Sequence, residues 1–208
     1  MPIRKEFQDR TDYEETRSGR RSRQTRQKLL NAAERIFLEK GYDNTTTREI
    51  SERADLGAGT FYVHFRDKRD IYDALVRRAN REMHRQWLEA RRPEMSVEEQ
   101  VVAALRVSFT YFRDNADLAR LILTEGPPVD AEYTMRLRSG IGAELHSILK
   151  DGIESGGISE IEPAVLSTVI MGISVVMGRW LLSPQPPENA AEIEEEIIRF
   201  CLRGMRPD

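Results

Sequence analysis

A single cysteine, Cys201, stands in the 208 residues, so no disulfide can close within the chain and a reducing cytoplasm is the expected setting. Histidine is nearly as scarce. His64, His84 and His146 lie far apart, and no HExxH, GxSxG, P-loop or Cys-His spacing accompanies them. Metal and nucleophile chemistry therefore have no visible home, and neither a catalytic residue, a metal site nor a cofactor is expected. Long hydrophobic runs are also missing. The longest, Ala164 to Gly178, is interrupted by Ser167, Thr168 and Ser174 and closed by Arg179. It falls short of the roughly 20 residues that span a bilayer, so a buried helix is expected and no membrane partner. Met1 to Arg10 alternate charges without an apolar stretch, which argues against a signal peptide. No segment alternates with the period of a strand.

The composition that is present, 39% hydrophobic and 32% charged, suits a chain that buries a core in water. Its charge is unevenly placed. Up to Arg92 there are 22 lysines and arginines against 16 acids, a net +6; beyond it there are 10 against 19, a net −9. Such a division fits a front part that meets a polyanion and a back part that does not, although solvated faces alone can produce unevenness of this kind.

Helical periodicity organises almost everything after the first twenty residues, and the fold class is all-α with about nine helices. Residues 1–20 carry too little apolar surface to offset their ordering entropy and are expected as a flexible arm. From Ser22 onward Leu29, Ala33, Ile36 and Phe37 share one face, and Gly41 ends that helix. Thr46 to Glu49 is a capping box, in which hydroxyl and carboxylate satisfy each other's free N–H groups; it opens a short helix turned inward through Ile50 and Ala54. Asp55-Leu56-Gly57 is a turn, and Ala58 to about His64 a third helix with Phe61 inside. Asp67 caps a long fourth helix facing inward with Ile71, Leu75, Ala79, Met83 and Trp87, stopped near Pro93. Ser96 to Glu99 is a second capping box. A helix with Val101, Val102, Leu105, Phe109 and Phe112 on one side follows, then a short one around Asp117 to Thr124. One helix is expected from Asp130 to about Ser155, one from Pro163 to Leu182 that is apolar nearly all round, and a last one from Ala190 to about Arg203.

Thr46 to Phe65 is thus two short helices joined by a tight turn and framed by two longer ones, the plan of a helix-turn-helix. Ile50, Ala54, Leu56, Phe61 and Phe65 make a mini-core, which leaves Thr47, Arg48, Gly59, Thr60, Tyr62 and His64 pointing away. Hydroxyls and cations at the beginnings of short helices suit phosphate oxygens, because the free N–H groups there already favour an anion. Tyr62 and His64 also have a plain packing role open to them.

The run from Thr25 to Leu75, with Ala32-Ala33, Phe37, Gly41-Tyr42, Thr45-Thr46-Thr47, Ile50, Ala54, Gly59-Thr60-Phe61-Tyr62-Val63-His64-Phe65 and Lys68, resembles the DNA-binding domain of the TetR/AcrR family. The remainder resembles that family in length and helical plan. The resemblance implies a flexible arm at 1–20, a helix-turn-helix domain at 21–68 and a ligand-binding and dimerisation domain at 69–208. It implies that Thr47 and Arg48 meet DNA as the second helix begins, Arg48 reaching a guanine edge or a phosphate. Gly59, Thr60 and Tyr62 then lie on the recognition helix, while His64 and Lys68 clamp the phosphate backbone. Tyr42 is a further backbone contact or a cover for the helix end. At Ala58 the sequence departs from the family, many members of which carry a lysine there; Arg17, Arg20, Arg21 and Arg23 could compensate, or be solvated only.

For the second half the resemblance implies that the last two helices pair with their copies in a four-helix interface, with Val169, Ile173, Met177, Ile197 and Cys201 as its candidate residues. Small Gly172, Ser174 and Gly178 would let helices approach closely. A regulatory pocket is expected among the helices of residues 96–182. Its candidate lining is Trp87, Phe109, Phe112, Tyr133, Met171 and Trp180, each of which also suits ordinary core. An apolar or amphipathic effector of unidentified structure, operator DNA and a second copy of the chain are the expected partners. The function implied is a ligand-responsive repressor bound to a palindromic operator as a dimer. A helical DNA-binding or scaffold protein without an effector, and an activator, stay open as alternatives.

Overall fold

The computed structural model describes residues 17–127 and 140–206. Among them are nine α-helices, one π-helical turn and no strand. The helices are α1 (Arg17–Lys40), α2 (Thr47–Arg53), α3 (Ala58–His64), α4 (Lys68–Ala90) and α5 (Val97–Asp114), then α6 (Ala116–Arg120), α7 (Ile141–Glu154), α8 (Pro163–Leu181) and α9 (Ala190–Gly204). The π-helical turn, Leu121–Glu125, follows α6 directly.

Local chemistry sets most boundaries. Gly41, at φ +80°, ends α1 in the left-handed region and donates its N–H to the Phe37 carbonyl at 2.8 Å. Thr46 caps α2: its hydroxyl accepts from the Glu49 N–H, and the Glu49 carboxylate accepts from the Thr46 N–H at 2.9 Å. Lys40 pairs with the same carboxylate, and these contacts, Lys40 first, pull the Glu49 pKa down to about 2. Asp67 caps α4 by accepting from the Asp70 N–H at 2.8 Å, and Ser96 and Glu99 form the second capping box.

Three expectations need correction. The segment 1–20 is not arm throughout, since α1 already runs from Arg17; residues 1–16 lie outside the described part. Of the helix expected from Asp130 to about Ser155, the described part is α7, which starts at Ile141 behind Gly140 at φ +59°; residues 130–139 lie outside the described residues. The short helix near Asp117 to Thr124 divides into α6 and the π-helical turn. The expected domain boundary at 68 falls where α4 begins, and the N-terminal core extends along α4 through Ile71, Leu75 and Val76.

That core also includes Leu118 and Leu121, so α6 and the π-helical turn pack against the first domain as well as follow from the second. Arg78 on α4 reaches back to Glu34 on α1 at 2.6 Å, tying the long helix to the first one. The larger C-terminal core gathers α5, α7, α8 and α9, with a satellite around the fully buried Trp87. α8 touches α5 closely: a Cβ on Gly178 would stand 2.7 Å from the Phe112 ring. Apolar nearly all round, α8 is long and apolar enough to cross a membrane, yet only 28% of it is buried against the described residues. Its outer stripe, Val165, Val169, Val176 and Trp180, is exposed.

Candidate nucleic-acid interface and effector cavity

α2 and α3 meet at the turn Asp55–Gly57 and bury Ile50, Ala54, Phe61 and Phe65. On the opposite face the Thr47 and Tyr62 hydroxyls lie 3.1 Å apart, linking the first residue of α2 to the middle of α3. Tyr62 is 60% exposed, Gly59 is exposed and Thr60 partly so. Arg48 is exposed beside them and donates to Glu52 at 2.8 Å, a surface pair that a phosphate or base edge can displace. The contact between Thr47 and Tyr62 brings two of the expected DNA residues together, while Arg48, Gly59 and Thr60 stand exposed or partly exposed on the same two helices. His64 closes α3 half-buried.

Lys68 and Tyr42 form a unit of their own. The Lys68 ammonium donates to the carbonyls of Tyr42 at 2.8 Å and Asp43 at 3.2 Å, and lies 4.4 Å from the centre of the Tyr42 ring. It therefore supplies donors to the chain leaving α1, where the helix itself can supply none. Tyr42 packs between Phe37 and Tyr72, at 5.5 and 5.3 Å between ring centres, and burial raises its phenol pKa. An apolar neighbour of this face escaped the sequence reading. Val63 is the most exposed large hydrophobic residue among those described, and helical spacing from Phe61 was the signal for it.

In the second domain a cavity of about 50 Å³ opens between α4, α5, α8 and the π-helical turn. Val76, Ala79, Asn80 and Met83 line it from α4, Ser108, Tyr111 and Phe112 from α5, Ile122 and Leu123 from the turn, and Met171, Ser174 and Val175 from α8. The Ser108 and Ser174 hydroxyls donate to the carbonyls one turn back, Ala104 and Ile170. Of the residues expected to line a pocket, Phe112 and Met171 border this cavity. Phe109 and Trp87 are buried in the cores that wall the cavity without lining it themselves, and the Trp87 indole N–H donates to the Gln100 carbonyl. Trp180 is elsewhere: it stands 45% exposed on an outer groove with Arg120, Thr124 and Arg179. Tyr133 lies outside the described residues.

Of the expected interface residues, Val169 is exposed and Ile173, Met177 and Ile197 are half-buried. Cys201 is buried in the C-terminal core, and burial pushes its thiol pKa up, so it faces this chain's interior and not a partner. Phe200, one residue earlier and 70% exposed, takes the outward position. No group of three or more metal-ligating side chains occurs among the described residues.

Comparison with known proteins places this arrangement. Residues 29–75 match the family model for bacterial regulatory proteins of the tetR family, and residues 94–205 match that of the tetracyclin repressor-like C-terminal domain. The chain belongs to the TetR family. It is a helix-turn-helix, DNA-binding transcription regulator. The HTH-type transcriptional regulator YhgD of Bacillus subtilis (strain 168) is 26% identical over 85% of this chain and 94% of its own length. The HTH-type transcriptional repressor BepR of Brucella suis biovar 1 is 37% identical over 42% of this chain and 44% of its own. Among solved TetR-family folds, the transcriptional regulator FadR from Bacillus subtilis in complex with stearoyl-CoA superposes with a TM-score of 0.72, at 21% identity over 86% of this chain and 98% of that one.

Proposed function

We propose that the protein is a cytoplasmic repressor that binds a palindromic operator as a homodimer and lets go when an apolar or amphipathic small molecule enters the cavity. One observation carries the reading: the cavity and the helix-turn-helix core share the π-helical turn. Ile122 and Leu123 line the cavity, while the adjoining Leu121 is part of the N-terminal core. The Tyr72 hydroxyl on α4 donates to the carbonyls of Ile122 at 3.1 Å and Leu121 at 3.4 Å, so the turn is bonded to the helix that carries the DNA-binding domain.

A cavity of about 50 Å³ is smaller than the roughly 300 Å³ at which ligand pockets begin, so an effector must push its walls apart. The turn is the wall best able to move, because π-helical segments are short departures from helical bonding that recur at functional sites. Its displacement would shift α4, and two recognition helices must stay about 34–36 Å apart to enter successive major grooves. The lining is mostly hydrocarbon with a few hydroxyls and one amide, which selects an apolar or amphipathic ligand. BepR is a repressor and FadR was solved with a fatty acyl thioester, and both fit this reading.

The experiment is an operator titration with and without a panel of apolar compounds. Tryptophan fluorescence reports on binding through Trp87, which packs with the lining residues Ile141, Met83 and Met171. A ligand that binds should weaken operator affinity, and by linkage operator should weaken ligand binding by the same factor. Tyr72→Phe, which keeps the ring and loses the hydroxyl, should leave ligand binding intact and reduce that factor. A panel that neither raises the melting temperature nor weakens operator affinity overturns the effector half of the proposal.

A further inference from the structure

Val63 occupies the tip of α3, 78% exposed. At about 100° per residue, Val63 and Gly59 each point within about 20° of the direction opposite the buried Phe61. The outermost ridge of the helix is therefore bare backbone at Gly59, followed one turn later by an isopropyl group. Neither residue is explained from within. A Cβ on Gly59 would have nothing within 4 Å, and its φ is not among the positive values, so neither packing nor backbone calls for glycine there. A β-branched residue loses side-chain freedom in a helix, and Val63 offsets that loss with little burial.

We infer that Val63 is a specificity residue that contacts the C5-methyl of a thymine in the major groove, Gly59 providing the clearance that lets the helix come that close. The inference rests on the assignment of α3 as the recognition helix. A valine can bond neither to a phosphate oxygen nor to the donors and acceptors of a base edge. Thymine alone of the four bases shows an apolar group in that groove, so the methyl is the one feature an isopropyl group can read favourably. Thr60 and Tyr62 flank Val63 with hydroxyls, which leaves hydrogen bonding to its neighbours and the apolar reading to Val63 itself.

The test uses the full chain. An operator is selected from randomised duplexes, and each thymine is then replaced in turn by deoxyuridine, which removes the methyl and nothing else. Wild-type protein should lose roughly three- to fivefold in affinity at one thymine per half-site, the worth of one methyl group buried against hydrocarbon. Val63→Ala should bind the thymine operator more weakly by a similar factor and show no difference between thymine and uracil at that position. Its melting temperature should be unchanged or higher, since alanine is the better helix former at an exposed site. Tolerance of uracil at every position, or a uracil penalty that persists in Val63→Ala, overturns the assignment of Val63 alone. Failure to select any operator overturns the reading of α3 as well, and this inference with it.

Discussion

Removing the Lys68 ammonium leaves the carbonyls of Tyr42 and Asp43 without their charged donor and uncovers one face of the Tyr42 ring. Lys68→Ala is therefore expected to lower the stability of the DNA-free protein by about 1 kcal/mol, the net worth of such a bond at a partly exposed site. Urea denaturation checks this; a lysine that served phosphate alone would leave the midpoint where it is. A lysine at the start of a helix was legible in the sequence, but the carbonyls it reaches lie 25 and 26 residues earlier and no local pattern reports them. Glu49 gives a second expectation. Its carboxyl stands at about 2 in the folded chain against an ordinary 4.5, because Lys40 and the Thr46 N–H and hydroxyl favour the anion. A depressed acid stabilises the fold fully above its unfolded pKa and loses that contribution as protons return. The melting temperature should thus fall as pH drops from 4.5 towards 2, and Glu49→Gln should flatten that limb while lowering the plateau above it. Equal acid limbs in the two proteins would remove the role assigned to this carboxylate.

The caps show how far local chemistry reaches. Thr46, Asp67 and Ser96 open their helices as the side chains alone require, and Pro163 begins α8 because its missing N–H costs nothing in a first turn. Periodicity was less complete a guide. It runs through Gly140 without a sign that this residue adopts positive φ, and it cannot tell an α-turn from the π-helical turn at Leu121–Glu125, since both bury the same leucines. What fixes that turn is distant in sequence: Tyr72 donates to its carbonyls, and the phenol leaves no room beyond glycine at position 126, where a Cβ would stand 1.9 Å from the hydroxyl oxygen. Gly126→Ala must displace the ring or the turn, and the expected cost is about 1–3 kcal/mol, as for other overpacked sites. Because the displaced group joins α4 to the cavity wall, the same variant should change operator affinity in the absence of any ligand. Thermal denaturation and a gel-shift titration read the two effects separately, and an alanine that altered neither would show that the contact between Tyr72 and the turn carries no strain.

Among the described residues, two apolar surfaces are left uncovered. One is a stripe along α8 through Val165, Val169, Val176 and Trp180, and the other is the single ring of Phe200 on α9. The excess apolar character of α8 was legible in the sequence, but which of its faces serves the chain's own core was not, because nearly every face is hydrophobic. On α9 the choice between Cys201 and Phe200 depends on packing against α5 and the chain end, where Cys201, Ile198 and Met205 are buried together. A second copy of the chain that covers the α8 stripe and Phe200 would account for them and would give the twofold symmetry a palindromic operator needs. Ile173 makes a poor probe, since it is half-buried and a glutamate there would also disturb the chain's own core. Val176 is cleaner at 63% exposed, and Phe200 at 70% is its counterpart. Val176→Glu and Phe200→Glu should each shift sedimentation from dimer towards monomer while preserving the far-ultraviolet helical signal, because neither side chain supports the isolated fold. The monomers should lose most operator affinity, as each then binds one half-site without the other. Cys201, by contrast, should resist thiol reagents equally in dimer and monomer, because its burial is internal. If the Val176→Glu protein stays dimeric, the uncovered face of α8 is not where the subunits meet; if it becomes monomeric and Cys201 turns reactive, α9 has moved with the interface and the two helices form a single unit.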